Sequence, residues 1–348
     1  MTAPQSDHRL VIVGGDGGTN IGASFRRAAE SLRVPVEFCD MRRAFEGPRA
    51  MARINWWMRG RRPTRLKEFS NDVVDVCRRF QPSLLIATGL APLEQQSLRR
   101  IQASGVQTIN YLTDDPWNPA FRSSWLLSSI QAYDQIFSVR RRNIDDLVNL
   151  GCPRVEYLPF AADPDLFYPQ DPDPTEFESY RSDICFAGGA DADRVPLIAA
   201  LVAANFKVAL YGDYWGRYRE TRDVWRGHAS PEALRKATRS AAVSLCLVRR
   251  ANRDGHTMRS FEVPHSAGCM LAEDTDEHRA LFGADDHAVR YFRTIEDLVA
   301  STAALLGDPD TRRRLADTSH GLIVQGRHTY QDRLSLMLAR ARIAAHVA

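Results

Sequence analysis

Residues 251–273 read ANRDGHTMRSFEVPHSAGCMLAE, and the way this stretch folds decides the arrangement of the chain around it. It leaves a hydrophobic strand candidate, Val243–Leu247, as a polar loop. It then becomes a short amphipathic segment, Arg259–Ala267, turns at Gly268 and re-enters the apolar run Met270–Ala272. Strand, loop, helix and strand in that order form one crossover of a parallel α/β sheet. The loop–helix junction presents free backbone N–H groups and the positive end of a helix dipole, which favour phosphate. Arg259 in the first turn adds a charge-assisted contact of about 1.5–3 kcal/mol. Glu262, one turn on, has the acceptor-only chemistry that grips a diol such as a ribose. Asp254 stands before it with seven residues between. The stretch reads as a nucleotide-sugar site.

Working outward, the same alternation fills both halves. Before it, strand candidates are Arg9–Gly14, Val34–Cys39, Leu84–Thr88, Gln107–Tyr111, Gln135–Ser138 and Val155–Leu158. Helical patterns at Ala23–Ser31, Arg65–Phe80, Glu94–Ser104, Asn118–Ile130 and Asn143–Leu150 lie between them. Residues 159–181 (PFAADPDLFYPQDPDPTEFESYR) lose all periodicity and gain prolines and acids, which is linker composition. Alternation restarts with strands Asp183–Ala187, Lys207–Tyr211, Val243–Leu247 and Val289–Phe292 and helices Val195–Ala204 and Glu232–Ala241. A one-face stripe from Ile295 to Leu306 follows, opened by a Thr294/Asp297 cap. The expected plan is an N-terminal Rossmann-like domain (1–160), a linker (161–181), a C-terminal Rossmann-like domain (182–328) and a last helix (329–348) that crosses back.

Composition narrows the classes. With 44% hydrophobic and 26% charged residues the 348-residue chain is globular. A net charge of +3 is too small to argue for nucleic acid. No run of about 18 apolar residues suggests a transmembrane helix, and the polar MTAPQSDHRL opening reads as lacking a signal peptide. Six dispersed cysteines without a Cys-x-x-Cys pair read as buried reduced thiols, so a cytoplasmic location is expected.

The runs RSFEVPHSAGCMLAED and VRYFRTIEDLVASTAALLGDPDTRRRLADTSHGLIVQGRHTYQDRL resemble the C-terminal half of CgeB-like (spore-maturation-type) glycosyltransferases, most densely over residues 183–335. The resemblance implies a GT-B-like α/β fold, two Rossmann-like domains facing a central cleft. It implies sugar transfer from a nucleotide-diphosphate sugar, which is a co-substrate with no further cofactor, to an acceptor held mostly by the first domain. That acceptor is a small molecule, a glycan or a lipid-linked sugar. In such enzymes an acidic-x7-Glu pair lies beside the donor. Asp254 and Glu262 fall on those positions, with Asp where the family more often has Glu, and the pair leans towards retention of configuration. The leaving-group charge would be met by basic groups and helix dipoles rather than a metal. Rival readings are a nucleotide-sugar epimerase of the same fold, a catalytically silent scaffold subunit and a nicotinamide oxidoreductase.

The remaining candidates are weighed against plainer roles. The turn at Gly188–Gly189, with Arg194 entering the next helix, lets a pyrophosphate approach the backbone; a simple strand-to-helix turn is the alternative. Tyr211 and Gly212 at the next strand end would border the base, or form an ordinary strand end. His256, Thr257 and Met258 would supply polar groups and N–H donors to the donor. Asp191-x-Asp193 reads as a loop or N-cap, and no metal-ligand spacing is present. In the first domain, GGDGGTNIG brings Gly17, Gly18, Thr19 and Asn20 to a phosphate or acceptor loop, but its third glycine position is Asn20, a broken dinucleotide motif. Asp40 ends the second strand, where a ribose-binding acid would stand. In TDDPWNP, Asp114 and Asp115 sit at a strand's carboxyl end, with Asp115 the preferred catalytic base and an N-cap turn the alternative. Arg53–Lys67 (RINWWMRGRRPTRLK) mixes six basic residues with Trp56 and Trp57. It suits a membrane surface, although solvated arginines over inward-packed tryptophans are the favoured reading.

Overall fold

The computed structural model describes residues 8–347, and the first seven residues of the opening read as lacking a signal peptide lie outside them. The chain forms two compact units. The first, through Pro159, runs β1 (Leu10–Gly14), α1 (Ile21–Ser31), β2 (Val36–Asp40), α2 (Arg49–Met58), α3 (Leu66–Phe80), β3 (Leu84–Thr88) and α4 (Gln95–Gln102). It continues with β4 (Gln107–Leu112), α5 (Ser124–Ile130), β5 (Gln135–Ser138), α6 (Arg142–Leu150) and β6 (Val155–Tyr157). Six parallel strands order as β2-β1-β3-β4-β5-β6. β1 and β3 are buried at every position, because a parallel sheet covered on both faces needs continuous apolar strands. The strand order reverses between β1 and β3, and Gly14 and Gly22 let β1 and α1 meet there: a Cβ on either would lie 2.8 Å from the other's Cα.

The second unit contains α7 (Phe177–Tyr180), β7 (Ser182–Ala187), α8 (Arg194–Ala203), β8 (Val208–Tyr211), α9 (Pro231–Ser240) and β9 (Ala241–Cys246). It goes on through α10 (Arg259–His265), β10 (Met270–Glu273), α11 (Asp276–Phe282), β11 (Arg290–Phe292), α12 (Ile295–Gly307) and α13 (Pro309–Gln325). Its five parallel strands order as β11-β10-β9-β7-β8, so the reversal falls between β7 and β9. The Thr294 hydroxyl accepts from Asp297 N–H, capping α12. The last helix, α14 (Tyr330–Val347), belongs to the first unit and packs on α1, with Tyr330 edge-on to Phe25 at 5.4 Å. Residues 251–253 also group with the first unit.

The segment read as a linker, 161–181, is packed chain of the second unit. Phe160, Ala161, Ala162 and Phe167 are buried, Ala162 bridges Thr329, and Arg235 donates to the Leu166 carbonyl. All six cysteines are unpaired and buried. No described helix is long and apolar enough to cross a membrane.

Candidate functional site

In open parallel sheets ligands collect at the carboxyl ends of the strands where the order reverses. In the second unit that point lies between the ends of β7 and β9. Arg194 spans it: Nη1 donates to Gly189 O at 3.3 Å and Nη2 to Leu247 O at 3.0 Å, and the guanidinium stacks on Phe186. Only 6% of the residue is exposed, its Nε has no hydrogen-bond partner, and the nearest carboxylate, Asp191, is 3.7 Å away. Burial lowers its pKa, with Asp191 opposing. This buried cation is under-compensated beside Gly189, where a Cβ would make only ordinary contact, 3.7 Å from the Asp213 carbonyl. Arg249 stands near the same acid, its Nε 3.9 Å from Asp191, and is 40% exposed. Asp191 Oδ1 accepts the N–H groups of Asp193 and Arg194, the N-cap role expected of Asp191-x-Asp193.

The loop after β9 is shaped by its own polar groups. Asp254 accepts from Arg249 N–H, and its N–H returns to the Arg249 carbonyl. His256 is buried: Nδ1 meets Glu277 at 2.5 Å and Nε2 accepts from Phe160 N–H at 3.2 Å. Desolvation pushes its pKa below the ordinary histidine value, against the pull of Glu277. Its ring therefore fixes the loop instead of reaching a ligand, which corrects the donor-contact expectation. Thr257 N–H donates to the Ser260 hydroxyl, and Met258 is the N-cap of α10. Ser260 in turn meets buried His278 at 2.8 Å.

Arg259 opens α10, donating from Nε to Ala187 O at 2.9 Å and pairing with Glu262. Glu262 is 3% exposed; burial pushes its pKa above the ordinary value, against Arg259. The adjoining cavity, lined by Phe167, Cys185, Leu234, Ser244 and Arg259, is about 10 Å³, room for one water. Glu262 lines this cavity too, and its carboxylate holds Arg259. Tyr211 is buried, its hydroxyl accepting from Arg226. Gly212 has φ +123°, and a Cβ there would lie 2.6 Å from Gly188 O. Both are held rigidly at the end of β8. Trp215 closes the same turn, donating to Gly188 O.

In the first unit, Gly17 and Gly18 have positive φ and open space above them. Asn20 is turned back, donating to the carbonyls of Asp16 and Gly17, while Thr19 is part-exposed. Asp40 pairs with Arg42, so the ribose-binding role of the dinucleotide reading is occupied. Asp115 is 1% exposed and saturated: it accepts from Trp117 N–H, Asn143 Nδ2 and, in a bidentate pair, Arg253 Nε (2.5 Å) and Nη2 (3.0 Å). Arg253 also holds Asp146 at 2.7 Å. With three donors on Oδ1, Arg253 on Oδ2 and almost no exposure, this carboxylate is placed as a structural acceptor, which speaks against the base role expected of it. Asp114 is half-buried, with Thr113 its hydroxyl partner at 3.2 Å. Trp56 and Trp57 are 49% and 80% exposed, against the expectation that they pack inward. Arg249 and Arg253 were not singled out by sequence reasoning; the signal was there in the arginine-rich VRRANRD that follows β9.

Two parallel α/β units with these strand orders define the GT-B fold. Residues 194–339 match the family model described as "Glycosyl transferase-like". No curated protein matches the chain. Among solved structures, sucrose-phosphate synthase from Thermosynechococcus elongatus is 13% identical over 97% of this chain and 100% of its own, with a TM-score of 0.68. Anabaena HepE in complex with UDP and glucose is 11% identical over 96% of this chain and 100% of its own, TM-score 0.62. UDP-GlcNAc 2-epimerase from Neisseria meningitidis bound to UDP-GlcNAc is 10% identical over 95% and 100%, TM-score 0.56. At these identities the likeness is one of fold.

Proposed function

We propose that the chain is a glycosyltransferase of the CgeB-like kind, moving a sugar from a nucleoside-diphosphate sugar to an acceptor without a metal ion. The observation that carries this reading is Arg194, a buried cation with an unpartnered Nε at the strand reversal of the second unit. A diphosphate beside Gly189 would complete its coordination, with Arg249 as the more exposed second cation and Arg259 held ready by Glu262. As the sugar–phosphate bond breaks, negative charge grows on the leaving oxygen, and preformed cations lower the barrier most at that point. The family match over the same residues and the UDP in the HepE complex support this reading. The open glycines Gly17 and Gly18 and the half-buried Asp114 are the first unit's contribution on the acceptor side. The Asp254-x7-Glu262 spacing favours retention.

Thermal-shift titration with uridine, guanosine and thymidine diphosphates tests it. A diphosphate at a hundredfold its Kd stabilises by about 2.7 kcal/mol. Arg249→Ala, which removes one charge-assisted contact, should weaken that binding roughly tenfold or more. No shift with any diphosphate, or an unchanged Arg249→Ala, refutes the proposal, and a shift with NAD instead favours the oxidoreductase. The epimerase is a second reading, favoured by the Neisseria likeness. It requires isomerisation of the donor with no acceptor present.

A further inference from the structure

Helix α2 lies almost bare: of its ten residues only Asn55 is buried. Met51, Ile54 and Met58 recur at helical spacing on one face, 42%, 45% and 80% exposed, and Trp57 beside them is 80% exposed. A ten-residue helix with no buried apolar face has little stability of its own in water, so this face is built for something else to cover. Its far end is fixed. Arg61 donates to the carbonyls of Pro119 and Arg122 and stacks on Trp56, and Trp125 Nε1 donates to Gly60 O at 3.1 Å.

The charge around it names the occupant. From Gly47 to Lys67 there is no acidic residue and seven basic ones. Arg62 and Arg65 are neutralised by Glu94 and Glu68. Among the described residues no carboxylate pairs with Arg49, Arg53 or Arg59. A second copy of the chain would bring like charges together across a twofold contact. An aliphatic stripe of methionine and isoleucine offers no stacking platform for bases. An amphipathic helix with tryptophan on its apolar side and arginines along its border has the composition of one lying in an anionic bilayer interface.

We infer that α2 docks this protein on anionic lipid bilayers, with Met51, Ile54, Trp57 and Met58 entering the headgroup–acyl boundary and Arg49, Arg53 and Arg59 meeting lipid phosphates. The inference stands whether or not the transferase reading holds. Co-sedimentation of the full chain with phosphatidylcholine vesicles, with and without phosphatidylglycerol, tests it at low and high salt. The wild type should partition to the anionic vesicles and be released by salt. Arg49→Gln with Arg53→Gln should lower partitioning about 25-fold, at roughly fivefold per arginine. Trp57→Ser with Met58→Ser should lower it at least about tenfold while leaving the melting temperature unchanged, since neither side chain is packed. Equal binding to neutral vesicles overturns the inference, as does wild-type binding by the Trp57/Met58 variant. So does a wild-type dimer in light scattering that this variant converts to monomer, because a second copy then covers the face.

Discussion

Replacing Asp115 with asparagine separates a catalytic carboxylate from a structural one. The substitution keeps shape and removes charge. Asn can still offer an oxygen to Trp117 N–H and Asn143 Nδ2, but its amide NH2 then faces the Arg253 guanidinium, donor against donor. The Nε bond, made to Oδ2, is lost at about 1.5–3 kcal/mol, while the Nη2 bond, made to Oδ1, keeps an oxygen acceptor but loses the carboxylate charge. Arg253 is 39% exposed and keeps Asp146, so solvent recovers part of that loss. The net cost should be about 2 kcal/mol, and for a unit of this size roughly 4–8 °C in melting temperature. Differential scanning calorimetry reads this directly, provided the transition of the first unit is resolved from that of the second. Donor consumption by the same sample, assayed well below its melting temperature, should persist. An Asp115→Asn protein that melts with the wild type yet has lost turnover would restore Asp115 as the base and refute the saturation argument.

Two further outcomes follow from the second unit. Gly212→Ala must place a Cβ 2.6 Å from Gly188 O at φ +123°, and should cost about 3 kcal/mol; a melting temperature within a degree of wild type would contradict it. Desolvation lowers the pKa of buried His278 below its unfolded value of about 6.5. Below that pH the unfolded chain takes up the proton first, so stability from this residue is present above it and drains as pH falls. Glu262 and Glu273, whose pKa values are raised by burial, act in the opposite direction, so the net profile mixes signs. The clean measurement is therefore a difference. The stability gap between wild type and His278→Asn should narrow from pH 7 to pH 5, and a constant gap would show that His278 does not titrate on unfolding.

What sequence reasoning could and could not reach follows the range of the forces involved. Leu84–Thr88 was legible to the residue, because burial on both faces writes itself into an almost wholly apolar run. The helix expected from Asn118 starts only at Ser124, because Asp115 and Asn118 take the N–H groups of Trp117 and Ala120 and turn the chain aside first. The 161–181 segment has linker composition, yet Arg235 and Lys236 reach it from more than 55 residues away; no local window registers a partner at that distance. Distance also hid the site. Asp115 reads as a base until Arg253, 138 residues on, is seen to saturate it. Glu262 is a different case, because its rival partner was visible. Arg259 and Glu262 are three apart on one helical turn, a spacing that makes an ion pair as readily as a ligand grip. When an acceptor has a cation within one turn, the local pair should be assumed first and the ligand argued against it. Arg194 also has an acid within one turn, Asp191, but that pair is 3.7 Å apart and leaves Arg194 Nε without a hydrogen bond, so here the local pair does not account for the cation.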